Sequence, residues 1–203
     1  MSGQGPSPSI SGIILTGFMG AGKSTTGALL AARLGWRFLD SDRVIEERAG
    51  RTIAEIFAQD GEAAFRALES DTVRELASAP DVVLALGGGA LENPASRGML
   101  RSLAGRRVVF LDAPFETLIS RCASQENAPV RPVLRDRGRL AARWESRLPL
   151  YREAHLTIPT AGRSPEEVVD SIVAALFPAT QPEPLTPAAQ PGDQPGDFPG
   201  DFQ

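Results

Sequence analysis

The 203-residue sequence has one cysteine and one histidine. A single cysteine, Cys122, excludes an intramolecular disulfide and a multi-cysteine metal site, and it gives no reason to expect an oxidising compartment. No apolar run approaches the roughly 20 residues of a membrane-spanning helix. Residues 1–11 lack the basic start and apolar middle of a secretory signal. These absences predict a cytoplasmic protein without a membrane partner.

The C-terminal tail, residues 178–203, has no lysine or arginine and carries the whole net charge of −4. The remaining body is formally neutral and lacks the basic face that nucleic-acid binding requires, so no nucleic-acid partner is expected. The tail repeats Pro-Gly-Asp and has too few large apolar residues to offset its ordering entropy, which predicts disorder. A short partner-binding motif around Phe198 and Phe202 is the alternative. Residues 1–11 are interpreted as a flexible extension.

The strongest motif is Gly-Phe-Met-Gly-Ala-Gly-Lys-Ser at Gly17–Ser24, between the apolar run Ile13–Leu15 and a predicted helix, Thr25–Leu34. This setting is typical of a phosphate-cradling loop, although an ordinary glycine-rich turn is the alternative. Its glycines let backbone N–H groups turn onto phosphates, its lysine reaches the β- and γ-phosphates, and its serine ligates Mg²⁺. The residues predicted to bind ATP here are Gly20, Ala21, Gly22, Lys23, Ser24 and Thr25.

Short apolar runs alternate with amphipathic helical stretches, which predicts an α/β fold with a parallel sheet. The predicted strands are Gly12–Thr16, Arg37–Leu39, Val82–Leu86, Arg107–Leu111 and Leu156–Ile158. Helices are expected to end at Gly35 and Gly50, and to begin at Asn93-Pro94 and Ser164-Pro165. Residues 124–139 are polar and arginine-dense and interrupt this alternation, so we predict a mobile lid there.

Asp40-Ser41-Asp42 follows the second predicted strand, where the loops of a parallel sheet face the ligand crevice. In phosphoryl transfer, one carboxylate can accept a hydroxyl proton while the other orients Mg²⁺ through water. The alternative is that Asp42 caps the helix running toward Ala49.

Further downstream, several arginines could bind an anionic substrate through their planar donor forks. Arg66, Arg131 and Arg152 are the candidates, with solvated surface positions as the alternative for each. Gly87–Gly89 follows the third predicted strand and would let backbone approach a ligand closely. We interpret His155, which has no evident catalytic partner, as structural.

Together these segments resemble the shikimate kinase family over roughly residues 13–176. The resemblance rests on the phosphate loop, Asp40–Asp42, Ile53–Phe57 leading to Phe65-Arg66, Gly87–Ala90, and finally Arg131-Pro132 with Pro149–Arg152. It implies a nucleoside-monophosphate-kinase-like fold with a central five-stranded parallel sheet over residues 12–177. It also implies ATP- and Mg²⁺-dependent phosphorylation of the 3-hydroxyl of shikimate, in the pathway to chorismate and aromatic amino acids.

Matching positions imply roles for individual residues. Asp42 would hold the substrate hydroxyls as base or as positioning group, and Asp40 would support Mg²⁺ through water, beside the metal ligand Ser24. Arg66 and Arg152 would bind the shikimate carboxylate.

The remaining matches concern the backbone, the lid and the adenine. Gly88 would contact substrate through its backbone, and Arg131 would swing in with the lid to neutralise the transferring phosphoryl group. Arg163 matches a position near adenine, and Arg121 resembles an adenine-stacking residue on a helix.

Two other functions remain possible from the sequence. One is a P-loop kinase for another small hydroxy acid such as gluconate, and the other is a non-catalytic metabolite sensor on the same fold. We expect a monomer that binds shikimate and ATP.

Overall fold

The computed structural model describes residues 10–124 and 136–178. The predicted lid arginine, Arg131, and nearly all of the predicted tail lie outside the described residues. The strands are β1 Gly12–Thr16, β2 Arg37–Asp40, β3 Val82–Ala85, β4 Arg106–Asp112 and β5 Leu156–Pro159. The helices are α1 Lys23–Leu34, α2 Ser41–Ala49, α3 Ile53–Ser78, α4 Pro94–Ser102, α5 Phe115–Ala123, α6 Arg137–Tyr151 and α7 Pro165–Leu176.

The strands form one parallel sheet in the order β2-β3-β1-β4-β5. This confirms the predicted α/β fold, and each strand agrees with its prediction to within about one residue at either end. The central strand β1 is fully buried, and its Ile14 pairs with Leu84 on one side and Val108 on the other. A strand covered on both faces must be apolar throughout, which explains the uninterrupted Ile13–Leu15 run.

Local capping chemistry sets the helix ends. The side chains of Asn93 and Ser164 accept the hydrogen bonds predicted for them at the starts of α4 and α7. Gly35 and Gly50 end α1 and α2 in the left-handed conformation, as expected. Within the described residues, no helix is both long and apolar enough to cross a membrane.

His155 lies at the edge of the sheet, where β5 begins. Its ring Nδ1 accepts a hydrogen bond from the backbone N–H of Val108 at 3.0 Å, and its backbone N–H donates to the Val108 carbonyl at 2.9 Å. These two hydrogen bonds attach the residue before β5 to β4, which agrees with the structural role predicted for His155.

Arg106 is buried at the amino end of β4, where the strand begins. Its guanidinium donates to the carbonyls of residues 77–79, which end α3, and to Ser11 Oγ. The α3 carbonyls and their helix dipole stabilise the positive charge. Gly12 makes room for it, since a Cβ there would lie 2.8 Å from Arg106 Cδ.

We predict that Arg106→Met lowers the free energy of unfolding by about 3 kcal/mol, because several buried carbonyls lose their donors. Denaturant unfolding measures this change. The control is Arg107→Met, at the neighbouring and less buried position, which should cost under about 1 kcal/mol. Equal losses for the two variants would contradict the capping role of Arg106.

Candidate active site

A cavity of about 1010 Å³ opens at the carboxyl ends of the strands, where ligands bind in open α/β sheets. The predicted phosphate loop lines one part of it and the predicted acceptor residues line another. The predicted site residues found in its lining are Gly20, Ala21, Gly22, Lys23, Ser24, Thr25, Asp40, Asp42, Arg66, Gly88 and Arg163.

The phosphate loop depends on glycine for both conformation and space. Gly20 and Gly22 have φ of 77° and 91°, a region that other residues rarely adopt. A Cβ at Gly20 would also lie 2.3 Å from the Leu118 carbonyl oxygen of α5. Lys23 Nζ donates to the Gly17 carbonyl at 2.7 Å, so the lysine folds back along its own loop. Because Gly22 starts the helix, α1 begins two residues before the predicted Thr25.

Asp40 connects the phosphate loop to the start of α2. Ser24 Oγ donates to Asp40 Oδ2 at 2.9 Å, and the Asp42 N–H donates to Asp40 Oδ1 at 3.1 Å. Asp40 is therefore the N-cap of α2, and the alternative that Asp42 caps this helix is wrong. The hydroxyl of Ser24 and the carboxylate of Asp40 together supply the hard oxygen donors that suit Mg²⁺.

Asp42 lies in the first turn of α2 and faces the cavity. Burial, followed by repulsion from Asp40, raises the pKa of Asp42 to about 6, although Lys23 partly opposes the shift. Gly87 packs directly against it, since a Cβ there would lie 2.2 Å from Asp42 Oδ1. The Gly87 N–H also donates to Ser41 Oγ at 2.9 Å, which fixes the glycine loop to α2.

Two guanidiniums, those of Arg66 on α3 and Arg147 on α6, line the cavity beside the glycine loop. Arg66 Nη1 donates to Glu69 Oε2 at 2.8 Å, and burial raises the pKa of Glu69, which is only 4% exposed. A Cβ at Gly89 would lie 2.7 Å from Arg66 Nη1 and 3.0 Å from Arg147 Nη2. The missing side chain at Gly89 therefore lets the two arginines converge.

Arg147 was not among the predicted residues, whereas Arg152 was predicted in the role of carboxylate ligand. The structure contradicts this placement, because Arg152 is exposed at the end of α6 and does not line the cavity. Five residues along a helix rotate the side chain by about 140°, so these two arginines cannot share a face. A sequence signal was present: Arg147 interrupts the apolar stripe of Leu140, Trp144 and Tyr151, and an arginine in a buried stripe needs an anionic partner.

Gly88 lines the cavity between these groups. The Tyr151 hydroxyl donates to its carbonyl oxygen at 2.6 Å. Burial raises the pKa of Tyr151 to about 12, which keeps this donor protonated. The backbone of Gly88 is therefore fixed by α6, the helix that also carries Arg147.

Comparison with known proteins places this geometry in a family. The shikimate kinase family model matches residues 19–177. The chain belongs to the shikimate kinase family. It is 47% identical to a shikimate kinase from Thermobifida fusca, over 80% of this chain and 93% of that protein. It is 46% identical to a shikimate kinase from Geobacter sulfurreducens, over 79% of this chain and 87% of that protein.

Solved structures agree with this family. A shikimate kinase from Acinetobacter baumannii in complex with shikimate superposes with a TM-score of 0.75, at 38% identity, and covers 84% of this chain and 97% of its own. A gluconokinase from Sinorhizobium meliloti shares the fold with a TM-score of 0.54 at 18% identity. The resemblance and the P-loop fold inferred from the sequence are thus confirmed.

The other part of the cavity in this shikimate kinase family member carries two arginines. Arg121 donates to the Thr160 carbonyl at 2.6 Å and to its Oγ1 at 3.0 Å. Arg163 donates to the Glu167 carbonyl at 2.8 Å. Both arginines line the cavity, and these hydrogen bonds hold their side chains in place. Each planar guanidinium therefore offers a fixed flat surface to the cavity.

Proposed function

We propose that the protein transfers the γ-phosphoryl group of ATP to the 3-hydroxyl of shikimate, giving shikimate 3-phosphate and ADP on the route to chorismate. One observation carries the proposal: the cavity that holds the phosphate loop also holds a carboxylate, Asp42, and a pair of guanidiniums, Arg66 and Arg147. A small acid bearing a hydroxyl group matches that set. Family membership supports shikimate as that acid.

On the donor side, the loop N–H groups and Lys23 would bind the phosphates of ATP, with Gly20–Gly22, Ser24 and Thr25 forming the cradle. Ser24 and Asp40 fit Mg²⁺, Ser24 directly and Asp40 through water, and the ion would neutralise charge on the phosphates. Arg131, outside the described residues, would add positive charge from the lid.

Adenine recognition is assigned to the other part of the cavity. Arg163 and Arg121 would flank the base with their held guanidiniums, since a planar cation stacks on an aromatic ring. A cytoplasmic location and a monomeric state stay predictions.

On the acceptor side, Arg66 and Arg147 would bind the substrate carboxylate, and Gly88 would approach the ring through its backbone. This would place the hydroxyls toward Asp42. At neutral pH Asp42 is ionised, because its pKa of about 6 lies below 7. It can accept the hydrogen bond of the reacting hydroxyl and is basic enough to take its proton as the phosphoryl group arrives. Most of the catalysis would come from holding the two substrates in line.

The first test is a coupled ADP-release assay with shikimate and gluconate as alternative acceptors. We expect turnover with shikimate and little with gluconate, because the glycine loop and the arginine pair lie close together and fit a compact ring acid. Turnover with gluconate alone would contradict the proposal. Nucleotide binding without turnover of either acid would favour a non-catalytic sensor.

The pKa of Asp42 predicts the pH dependence of the reaction. Because the carboxylate form is required, kcat/KM for shikimate should fall about ten-fold per pH unit below pH 6 and level off above pH 7.

Asp42→Asn should lose about 10²- to 10⁴-fold in turnover with little change in ATP affinity. It should also melt at a higher temperature, since it removes a buried charge. Equal losses of ATP binding and turnover would contradict the assigned role.

The corrected clamp gives a paired test. Arg147→Ala should raise the KM for shikimate by about 10²-fold, because a charge-assisted hydrogen bond to the carboxylate is lost, and leave the KM for ATP nearly unchanged. Arg152→Ala should change neither value by more than about two-fold, since an exposed arginine outside the cavity contributes little. A larger rise in the KM for shikimate in Arg152→Ala than in Arg147→Ala would contradict this assignment and favour Arg152 as the carboxylate ligand.

A further inference from the structure

Glu92, just after the glycine loop, contacts both arginines of the clamp. Its Oε1 accepts from Arg147 Nε at 2.9 Å, and its Oε2 accepts from Arg147 Nη2 and Arg66 Nη2, each at 3.1 Å. Arg147 thus uses one complete edge of its guanidinium on Glu92. A single carboxylate therefore bridges two cations that would otherwise repel each other.

Glu92 approaches this pair from outside the cavity. Arg66, Arg147 and Gly89 line the cavity, whereas Glu92 is not part of that lining and its side chain is 38% exposed. The other end of Arg147 faces the cavity side, where its Nη1 lies 3.5 Å from the position of a Cβ on Gly88. Glu92 therefore takes only one edge of Arg147. The guanidinium also hydrogen-bonds the Tyr151 hydroxyl, and its remaining N–H donors on the cavity side can meet a ligand.

The backbone of Glu92 is itself anchored. Its N–H donates to the Gly89 carbonyl at 2.9 Å. Arg97, on α4, donates to the carbonyls of Leu91 and Glu92 at 2.6 and 3.2 Å. The carboxylate is thus held by a fixed turn, which is what a group that orients other side chains requires.

We propose that Glu92 is a positioning residue that holds Arg66 and Arg147 together as a preformed fork for the substrate carboxylate. This inference rests on the proposed function, which supplies the carboxylate. Without Glu92, Arg66 keeps its contact with Glu69, but Arg147 loses both of its hydrogen bonds to a carboxylate. Arg147 would keep its contact with the Tyr151 hydroxyl but would no longer be held along one whole edge, so the substrate would have to orient the guanidinium as it binds, and that ordering weakens affinity.

A second effect acts in the opposite direction. The negative charge of Glu92 repels an incoming carboxylate, so removing it would strengthen binding. This repulsion is weak, because the two carboxylates would lie on opposite sides of the guanidiniums and water reaches Glu92. Loss of the prepared fork therefore dominates.

The test compares Glu92→Gln, which keeps the shape but removes the charge, with Glu92→Ala. Both are assayed with the full chain while shikimate and ATP are varied separately. We expect the KM for shikimate to rise about ten-fold, with kcat and the KM for ATP changing less than about two-fold. A calorimetric titration with shikimate should show the same loss of affinity without turnover.

Glu75→Gln is the matched control. Glu75 also accepts two hydrogen bonds from one guanidinium, that of Arg48, but neither residue lines the cavity or belongs to the clamp and its turn. Its KM for shikimate should be that of the wild type.

Three results would overturn the inference: an unchanged or lower KM for shikimate in Glu92→Gln, parallel losses for shikimate and ATP with a lower Tm, or an equal effect of Glu75→Gln. If the wild type binds shikimate without turnover, the proposed function fails and the titration still decides the role of Glu92. If the wild type does not bind shikimate, both are overturned.

Discussion

The carboxylate of Asp40 joins the two halves of the active site, and the remaining geometry depends on that junction. One oxygen accepts from Ser24 at the end of the phosphate loop, and the other accepts from the Asp42 N–H at the start of α2. Capping α2 in this way directs the following turn, with Asp42, toward the cavity. The donor and acceptor sites are thus fixed relative to each other by one short side chain on the end of β2.

This arrangement costs stability. The pKa of Asp42 is about 6 in the folded protein against 3.8 for the free group, mainly because of burial and then because of Asp40. The folded state therefore holds the proton more tightly than the unfolded chain, and the contribution of Asp42 to stability falls as pH rises from about 4 to about 6. Its charge opposes folding at neutral pH by on the order of 3 kcal/mol. Such a cost is expected of a carboxylate kept for its chemistry, and it supports the role proposed for Asp42.

The sequence predicted what depends on local pattern. The phosphate loop, the buried strands and the caps at Asn93 and Ser164 each follow from a few consecutive residues. The choice between Arg147 and Arg152 does not follow from a few consecutive residues, because it depends on which face of α6 packs on the sheet. Glu92 was missed for a related reason: its partners lie 26 and 55 positions away along the chain, and only the fold brings them together.

Acceptor selectivity can therefore be located away from the phosphate loop. The S. meliloti gluconokinase shares this fold at only 18% identity, so the fold does not by itself determine which acid is bound. In this chain the groups proposed to bind the acid come from α3, α6 and the glycine loop, and two carboxylates hold the arginines: Glu69, which lines the cavity, and Glu92, which does not. A cation that has already been oriented selects a planar carboxylate by direction as well as by charge. A neutral protein body can thus be selective for an anion, because the two arginines proposed to bind it are held in place.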